Sequence, residues 1–426
     1  MKTAAKILSF FGLLVLCFLF GFSWQDIQKG KVPSVRTMGS LFGVKSGAAA
    51  TPEVEFQHAY SEILTDYIKP VNKSDLKYAG MEGLMASLGD PHTMFMRPKL
   101  AEAFNDETRA NFGGVGARLG QDSMGAKIVV VFEDGPAYAA GIRSGNIITG
   151  VDGKSVAGKV VDDIVGMVKG KEGTIVKLTV IQSDKPKPVV ITVKRARIIA
   201  PTVDSKYLAN HQVGYMSISS FSEPTAAQFD KELSKLEDHQ IKGLVIDLRE
   251  NPGGLLETAV DMLSRFFENK LVVKMKFRDG HEESAKTYPG VIHEFNYPIA
   301  VLMNEDSASA AEIFAGCLRD YGRAKLVGTH SYGKASVQNV FPLVDRSSAK
   351  ITIAKYFLPV TPFFGRKVDP YGAFLSGGLE PDLKVELSTS TEVTFGDPAT
   401  DNQLLKAIQL LNPTPGSTAA LSAKKK

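Results

Sequence analysis

Between residue 199 and about residue 395 the chain alternates continuously apolar runs with amphipathic ones. "GYMSISS", "IKGLVIDLR", "PIAVLMN" and "AKLVGT" read as strands, while "EPTAAQFDKELSKLEDHQ", "GLLETAVDMLSRFF" and the run after Ser309 read as helices. Strands that are apolar on both faces must be covered on both faces, so this alternation predicts an α/β core with a parallel sheet between helices.

In such a sheet, function gathers at the carboxyl ends of the strands. Three strand ends here carry unusual residues. Glu250, Asn251, Pro252, Gly253 and Gly254 follow "LVIDLR", the Ser309 helix follows "IAVLMN", and "HSYGKASVQNV", with Lys334 and Gln338, follows "AKLVGT". Ser309 to Glu312 fits the S-x-x-E capping box, in which serine and glutamate satisfy the free N–H groups of a first turn. Apolar Ile313, Phe314, Cys317 and Leu318 give that helix one buried face. Taken locally, Ser309 either starts a helix or does chemistry.

Residues Gly328 to Lys334 also match the phosphate-binding pattern G-x-x-x-x-G-K. That loop needs Ser or Thr after the lysine and a helix N-terminus to receive phosphate. Ala335 follows instead, and "SVQNVFPLV" is strand-like, which argues against nucleotide binding. Acyl transfer fits better. A serine hydroxyl becomes a nucleophile when a base takes its proton, and Ser–Lys pairs are one variant. The lysine serves only when neutral, which apolar burial favours. Lowering its pKa to about 7–8 requires roughly 3–5 kcal/mol. Gln338 offers a neutral hydrogen-bond partner to aim the amine. Backbone N–H groups at the Pro-Gly-Gly loop and at Ala310 offer an oxyanion hole.

Residues 111–198 have a different character. Short β-branched runs, Gly-containing turns and one helix, "VVDDIVGMVKG", make a compact β-rich module. Residues 53–110 show helical spacing, interrupted at "GDPHTMFM", where His92 reads as a turn or core histidine. At the N-terminus, Lys2 and Lys6 precede an uncharged apolar run from Ile7 to Phe22, with Gly21 and Ser23 as small residues for cleavage. This is a secretory signal, although the run also approaches the length of an uncleaved anchor. Leu16 is too bulky for Cys17 to be a lipoprotein site. Only Cys317 remains beyond this segment, so neither an intramolecular disulfide nor a zinc or redox motif is available. The net charge of +4, with no basic stripe interleaved with aromatics, makes nucleic acid an unlikely partner.

Together "LVIDLRENPGGLL", "VLMNEDSASAAEIFAGCLRDYGRAKLVG", "SYGKASVQ", "ITIAKYF" and "GLEPDLKV" resemble the C-terminal processing peptidases, also called tail-specific proteases. The likeness runs from about residue 54 to 411 with its motifs in order. It implies a crotonase/Clp-like α/β protease core, with Ser309 as nucleophile, Lys334 as base and Gln338 orienting the lysine. The oxyanion donors would be Ala310 and Gly254, and Ser307 would be structural. The β-rich module resembles a PDZ domain, whose N–H groups around Gly114, Val115 and Gly116 would hold a substrate's C-terminal carboxylate. No metal or cofactor is expected.

The expected organisation is a signal peptide or anchor (1–24), a linker (25–52) and an N-terminal helical segment (53–110). The PDZ domain (111–198), the protease core (199–411) and a disordered tail (412–426) follow. The expected protein is exported, periplasmic or membrane-anchored on the extracytoplasmic side, and its partners are protein or peptide C-termini. An activating adaptor and a homo-oligomer stay open. Departures from the family pattern are Ala335 in place of Gly, the "THSYGK" approach and the long "TPFFGRKVDPYGAF" turn. Other readings are an inactive PDZ scaffold, a crotonase-like acyl enzyme, and a Ser–His–Asp triad using His330.

Overall fold

A computed structural model of the chain describes residues 51–182, 185–389 and 393–411. The expected leader and the tail from 412 onward lie outside the described residues, as does the linker up to residue 50.

The chain forms two units, Met1–Met81 and Glu82–Lys426. In the first, helix α1 (Pro52–Asp66) opens with proline at its first position, where a missing N–H is harmless. Asn72 Oδ1 accepts the N–H groups of Ser74 at 2.8 Å and Asp75 at 3.3 Å and so caps helix α2 (Lys73–Ala86). Tyr60 Oη donates to the Lys73 carbonyl at 3.0 Å and ties the two helices together.

The break expected at "GDPHTMFM" holds a short strand, β1 (Met94–Met96), before helix α3 (Pro98–Thr108). Asp90 forces the break. Its carboxylate accepts the His92 N–H at 2.9 Å and the Thr93 hydroxyl at 2.7 Å, a side-chain turn that competes with helix.

The β-rich module begins at β2 (Asn111–Gly114) and ends at β9 (Ala196–Ile199), which pair antiparallel with Asn111 opposite Ile199. The module therefore enters and leaves side by side, as an insertion must. Within it run β3 (Ala117–Asp122), β4 (Gly125–Val131), helix α4 (Pro136–Ala139), β5 (Ile147–Val151) and β6 (Lys154–Ser155). Helix α5 (Val161–Val168), β7 (Ile175–Gln182) and β8 (Lys185–Lys194) complete it. The sheet order is β3-β4-β5-β7-β8, with β6 on β5, around a core that includes Val115, Ile128, Ile148, Ile164 and Leu178.

The α/β core starts with β10 (Val203–Leu208), β11 (Val213–Ile218), helix α6 (Thr225–Glu237), β12 (Gly243–Asp247) and helix α7 (Leu256–Leu263). After β13 (Leu271–Phe277) and β14 (Glu282–Lys286) come β15 (Ile299–Met303), helix α8 (Ala310–Asp320) and β16 (Ala324–Gly328). Then follow β17 (Ser336–Pro342), β18 (Ser348–Phe357), the hairpin β19 (Lys367–Val368) and β20 (Phe374–Ser376), β21 (Leu383–Lys384) and helix α9 (Asn402–Leu411). The main sheet has the order β10-β11-β12-β15-β16-β21. It is parallel as expected except at one edge, where β10 runs antiparallel to β11 because only a short turn joins them.

Every residue of β12 and β15 is buried, and they alternate between two cores. Leu244, Ile246, Val301 and Met303 pack with α6, α7 and α8, while Val245, Ala300 and Leu302 pack under Leu404, Ala407 and Ile408 of α9. A second sheet joins β1, β18, β13 and β14, with β17 also on β18. The helix–strand alternation of the sequence does not reveal this sheet, because several of its strands are half-exposed and lack continuous apolar runs.

Candidate active site

Strands β12, β15 and β16 are adjacent, so the loops that follow them lie side by side. Hydrogen bonds stitch the three together. The Ala308 N–H donates to the Asn251 carbonyl at 2.9 Å, Glu250 N–H to Asn304 Oδ1 at 2.9 Å, and Tyr332 N–H to the Ser307 carbonyl at 3.0 Å. Each loop also holds one residue other than glycine in the left-handed region: Glu250 at φ 59°, Ser309 at 57° and Ala335 at 43°. Such conformations cost roughly 1–3 kcal/mol each and persist where the surroundings over-determine them.

Ser309, half-buried, precedes α8 with φ 57° and ψ −117°. Its N–H donates to Glu312 Oε2 at 2.8 Å, the glutamate half of the predicted capping box. Glu312 does far more than cap. Its buried carboxylate also accepts Ser331 Oγ–H at 2.6 Å, Gly333 N–H at 2.6 Å and Lys334 N–H at 3.1 Å. One carboxylate thus ties the backbones of Ser309 and Lys334 together. Burial pushes the Glu312 carboxyl upward, and these donors favour the ionised form against that push.

The Lys334 amine is brought down to about 8, first by burial and then by the charge of Lys350; Glu312 and Asp90 pull the other way. Ser307 is buried instead. Its hydroxyl donates to the Leu248 carbonyl at 2.8 Å and accepts the Asn304 N–H at 3.0 Å.

Gly253 and Gly254 stand against Ser309 and Phe221. A Cβ on Gly253, at φ 95°, would lie 2.7 Å from the Ser309 Cβ and 2.8 Å from the Ala310 nitrogen. One on Gly254, at φ 144°, would strike the Phe221 carbonyl. The Gly253 N–H is occupied by Asn251 Oδ1 at 2.8 Å. Among the described residues, the N–H groups of Gly254 and Ala310 have no such acceptor.

The structure does not join Gln338 to Lys334. The Gln338 amide donates to Ser336 Oγ at 2.9 Å and Thr352 Oγ1 at 3.1 Å, and among the described residues no hydrogen bond links the Ser309 and Lys334 side chains either. Nor does His330 form a triad. Its ring stacks on Phe374 with centroids 4.4 Å apart, and Nδ1 lies 2.9 Å from the Ser331 carbonyl.

Sequence reasoning missed several contributors. Glu312 was read only as the capping-box glutamate, and its apolar setting on α8 is the signal for its further bonds to Ser331, Gly333 and Lys334. His92, read as a turn or core residue, places its ring edge-on to Tyr332 at 6.0 Å, and its imidazole is pushed down by burial and the charge of Lys334. The unexpectedly long turn forms β19–β20, where Arg366 lies over the rings of Tyr332 and Phe374 at 4.9 and 5.0 Å and its N–H donates to the Gly333 carbonyl at 2.6 Å.

In the β-rich module, the Val115 side chain is buried in the core and Gly116 adopts φ 78°. The Val115 and Gly116 carbonyls accept the N–H groups of Ala137 at 2.7 Å and Phe132 at 2.9 Å. Gly114 lies opposite Ala196 in the β2–β9 pair.

Peptidase family S41 matches residues 212–385, and the PDZ domain matches residues 127–182. The chain is 32% identical over 335 residues to the carboxy-terminal processing protease CtpB of Bacillus subtilis, covering 78% of this chain and 67% of that protein. It is 31% identical over 360 residues to CtpA of the same organism, covering 84% and 74%. A solved structure from Bacteroides fragilis assigned to the S41 proteases shares the fold at 16% identity and TM-score 0.50, covering 85% of this chain and 98% of that one. The chain spans about two thirds to three quarters of the curated relatives' length. With its S41 core, its PDZ module and this identity to two processing proteases, the chain belongs to the C-terminal processing peptidases of family S41, serine-type peptidases.

Proposed function

We propose that this protein is an exported endopeptidase that captures the C-termini of protein substrates in its PDZ domain and cleaves them with a Ser309–Lys334 dyad. One observation carries the dyad: the buried Glu312 carboxylate accepts the N–H groups of both Ser309 and Lys334, fixing the two backbones around one anchor.

The neutral Lys334 amine takes the proton from Ser309 Oγ as that oxygen attacks the scissile carbonyl. The negative oxygen that forms is met by the N–H groups of Gly254 and Ala310. Lys334 then gives its proton to the departing amine, and a water deprotonated by the same lysine releases the acyl group from Ser309. Gln338 aims the amine once it turns from its hydroxyl partners. Catalytic hydrogen bonds are often long before substrate binds, so the open dyad is compatible with this role. The N–H groups of Gly114, Val115 and Gly116 hold the substrate's terminal carboxylate while it adds as a strand.

Export rests on the N-terminal pattern from Lys2 to Ser23. Mass spectrometry of model peptides incubated with the purified protein, beside its Ser309→Ala form, tests the reading. Internal cleavage near apolar C-termini by the parent alone is expected, and equal cleavage by both would overturn it.

A further inference from the structure

The turn that carries β19 and β20 brings a guanidinium to the Lys334 loop, and its root is fixed from several sides. The Phe364 ring is buried and packs edge-on to Tyr356 with centroids 5.8 Å apart, and Tyr356 Oη donates to the Ser309 carbonyl at 3.4 Å. Two residues on, the Arg366 N–H donates at 2.6 Å to the carbonyl of Gly333, the neighbour of Lys334. A Cβ on Gly377, at φ 119°, would lie 2.7 Å from the Arg366 Cα. Backbone packing, not the arginine side chain, therefore sets where Arg366 stands.

The half-buried Arg366 guanidinium lies over the rings of Tyr332 at 4.9 Å and Phe374 at 5.0 Å. His330 stacks on the same Phe374. Rings engage the face of a guanidinium and leave the N–H groups in its plane to other partners. Among the described residues the Arg366 guanidinium makes no hydrogen bond and meets no carboxylate at ion-pair distance. The acid of its own hairpin, Asp369, turns Oδ1 to the N–H groups of Tyr371 and Ala373 at 2.8 Å. Glu312 is taken up by Ser309, Ser331, Gly333 and Lys334. Every buried side-chain nitrogen among the described residues has a partner, so the Arg366 donors reach solvent.

We propose that Arg366 is a specificity-determining residue that holds a carboxylate of the bound substrate beside the Lys334 loop. Its planar fork fits a carboxylate with two parallel hydrogen bonds. An acidic side chain and the terminal carboxylate of a short chain present the same group, and the test separates them. The inference rests on the Ser309-dependent peptidase reaction proposed above.

The test uses the full chain and an apolar-ended peptide with Asp or Asn placed in turn at each position flanking the cleaved bond. Shortened peptides with a free or an amidated C-terminus form a second arm. kcat/KM is measured for the parent, Arg366→Gln, Arg366→Lys and Arg366→Glu. Each preference is a ratio within one protein, so a general loss of activity cancels. The parent should favour the carboxylate by about tenfold or more in one arm, and the arm that responds identifies its source. Arg366→Gln should bring that ratio to about one, Arg366→Lys should keep part of it, and Arg366→Glu should reverse it. Ratios near one in both arms of the parent would overturn the role of Arg366 without any variant having to fold. A preference unchanged in Arg366→Gln would overturn it too, and either result leaves the Ser309 reaction in place. Cleavage that persists in Ser309→Ala would remove that reaction, and the role of Arg366 with it.

Discussion

The Ser309 N–H and the Glu312 carboxylate are joined at 2.8 Å, and the same carboxylate holds the Lys334 N–H at 3.1 Å. A carboxylate suits this position because all its partners here are donors. Glu312→Gln would turn an NH2 group toward N–H groups. Loss of about 2–4 kcal/mol in urea denaturation is expected from the broken buried network. A fall in kcat/KM of about 100-fold or more should accompany it, since small displacements of reacting groups have effects of that size. Parental stability and activity in this variant would show that the anchor lies elsewhere.

Ser307 and Ser309 should separate cleanly. Ser307→Ala removes a hydroxyl bonded to Leu248 and Asn304 and should lower stability by about 1–2 kcal/mol while most peptidase activity survives. Ser309→Ala and Ser309→Gly should both be inactive. Because Ser309 sits at φ 57°, the glycine form should be the more stable of the two by roughly 1 kcal/mol, visible as a higher Tm.

The pH dependence follows from Lys334. Its amine is held at about 8, and in the proposed reaction it serves as base only when neutral. Lowering pH through that value protonates it, so kcat/KM should fall by about tenfold per unit on the acid side. A profile flat from pH 6 to pH 9 in steady-state peptide assays would contradict a lysine base.

Much of this site was legible because its chemistry sits in short contiguous segments at strand ends. Gly253–Gly254, Ser309–Ala310 and Lys334 could each be placed by the strand they follow. The remainder depends on contacts between distant segments. Thr93 reaches Thr352 across 259 residues, through the pairing that sets β1 and β17 on either side of β18. Gln338 was placed on the correct strand, yet local periodicity cannot say whether its amide faces Lys334 or the hydroxyls of Ser336 and Thr352.

The loop that presents Gly253 and Gly254 carries Arg249 near its start, whose guanidinium is a buried cation between two buried carboxylates. It bonds Asp247 at 2.5 Å and Asp401 at 2.6 Å, reaches Gln403 Oε1 at 2.9 Å, and stacks over Phe395 at 3.8 Å. Tyr215 Oη donates to Asp247 at 2.8 Å, which helps offset the surplus negative charge. The ordering of substitutions follows from what each leaves behind. Arg249→Met strands two carboxylates without a cation and should be the most damaging, at about 3–5 kcal/mol. Asp401→Ala opens a gap but keeps the Arg249–Asp247 pair, so it should rank second. Asp401→Asn keeps an acceptor and brings the cluster to neutrality, so it should be mildest. Asp401 lies at the start of α9, the helix covering the second core, so Asp401→Ala should also speed amide exchange along Asn402–Leu411. Equal urea midpoints for Arg249→Met and Asp401→Asn would show that charge balance does not govern this network.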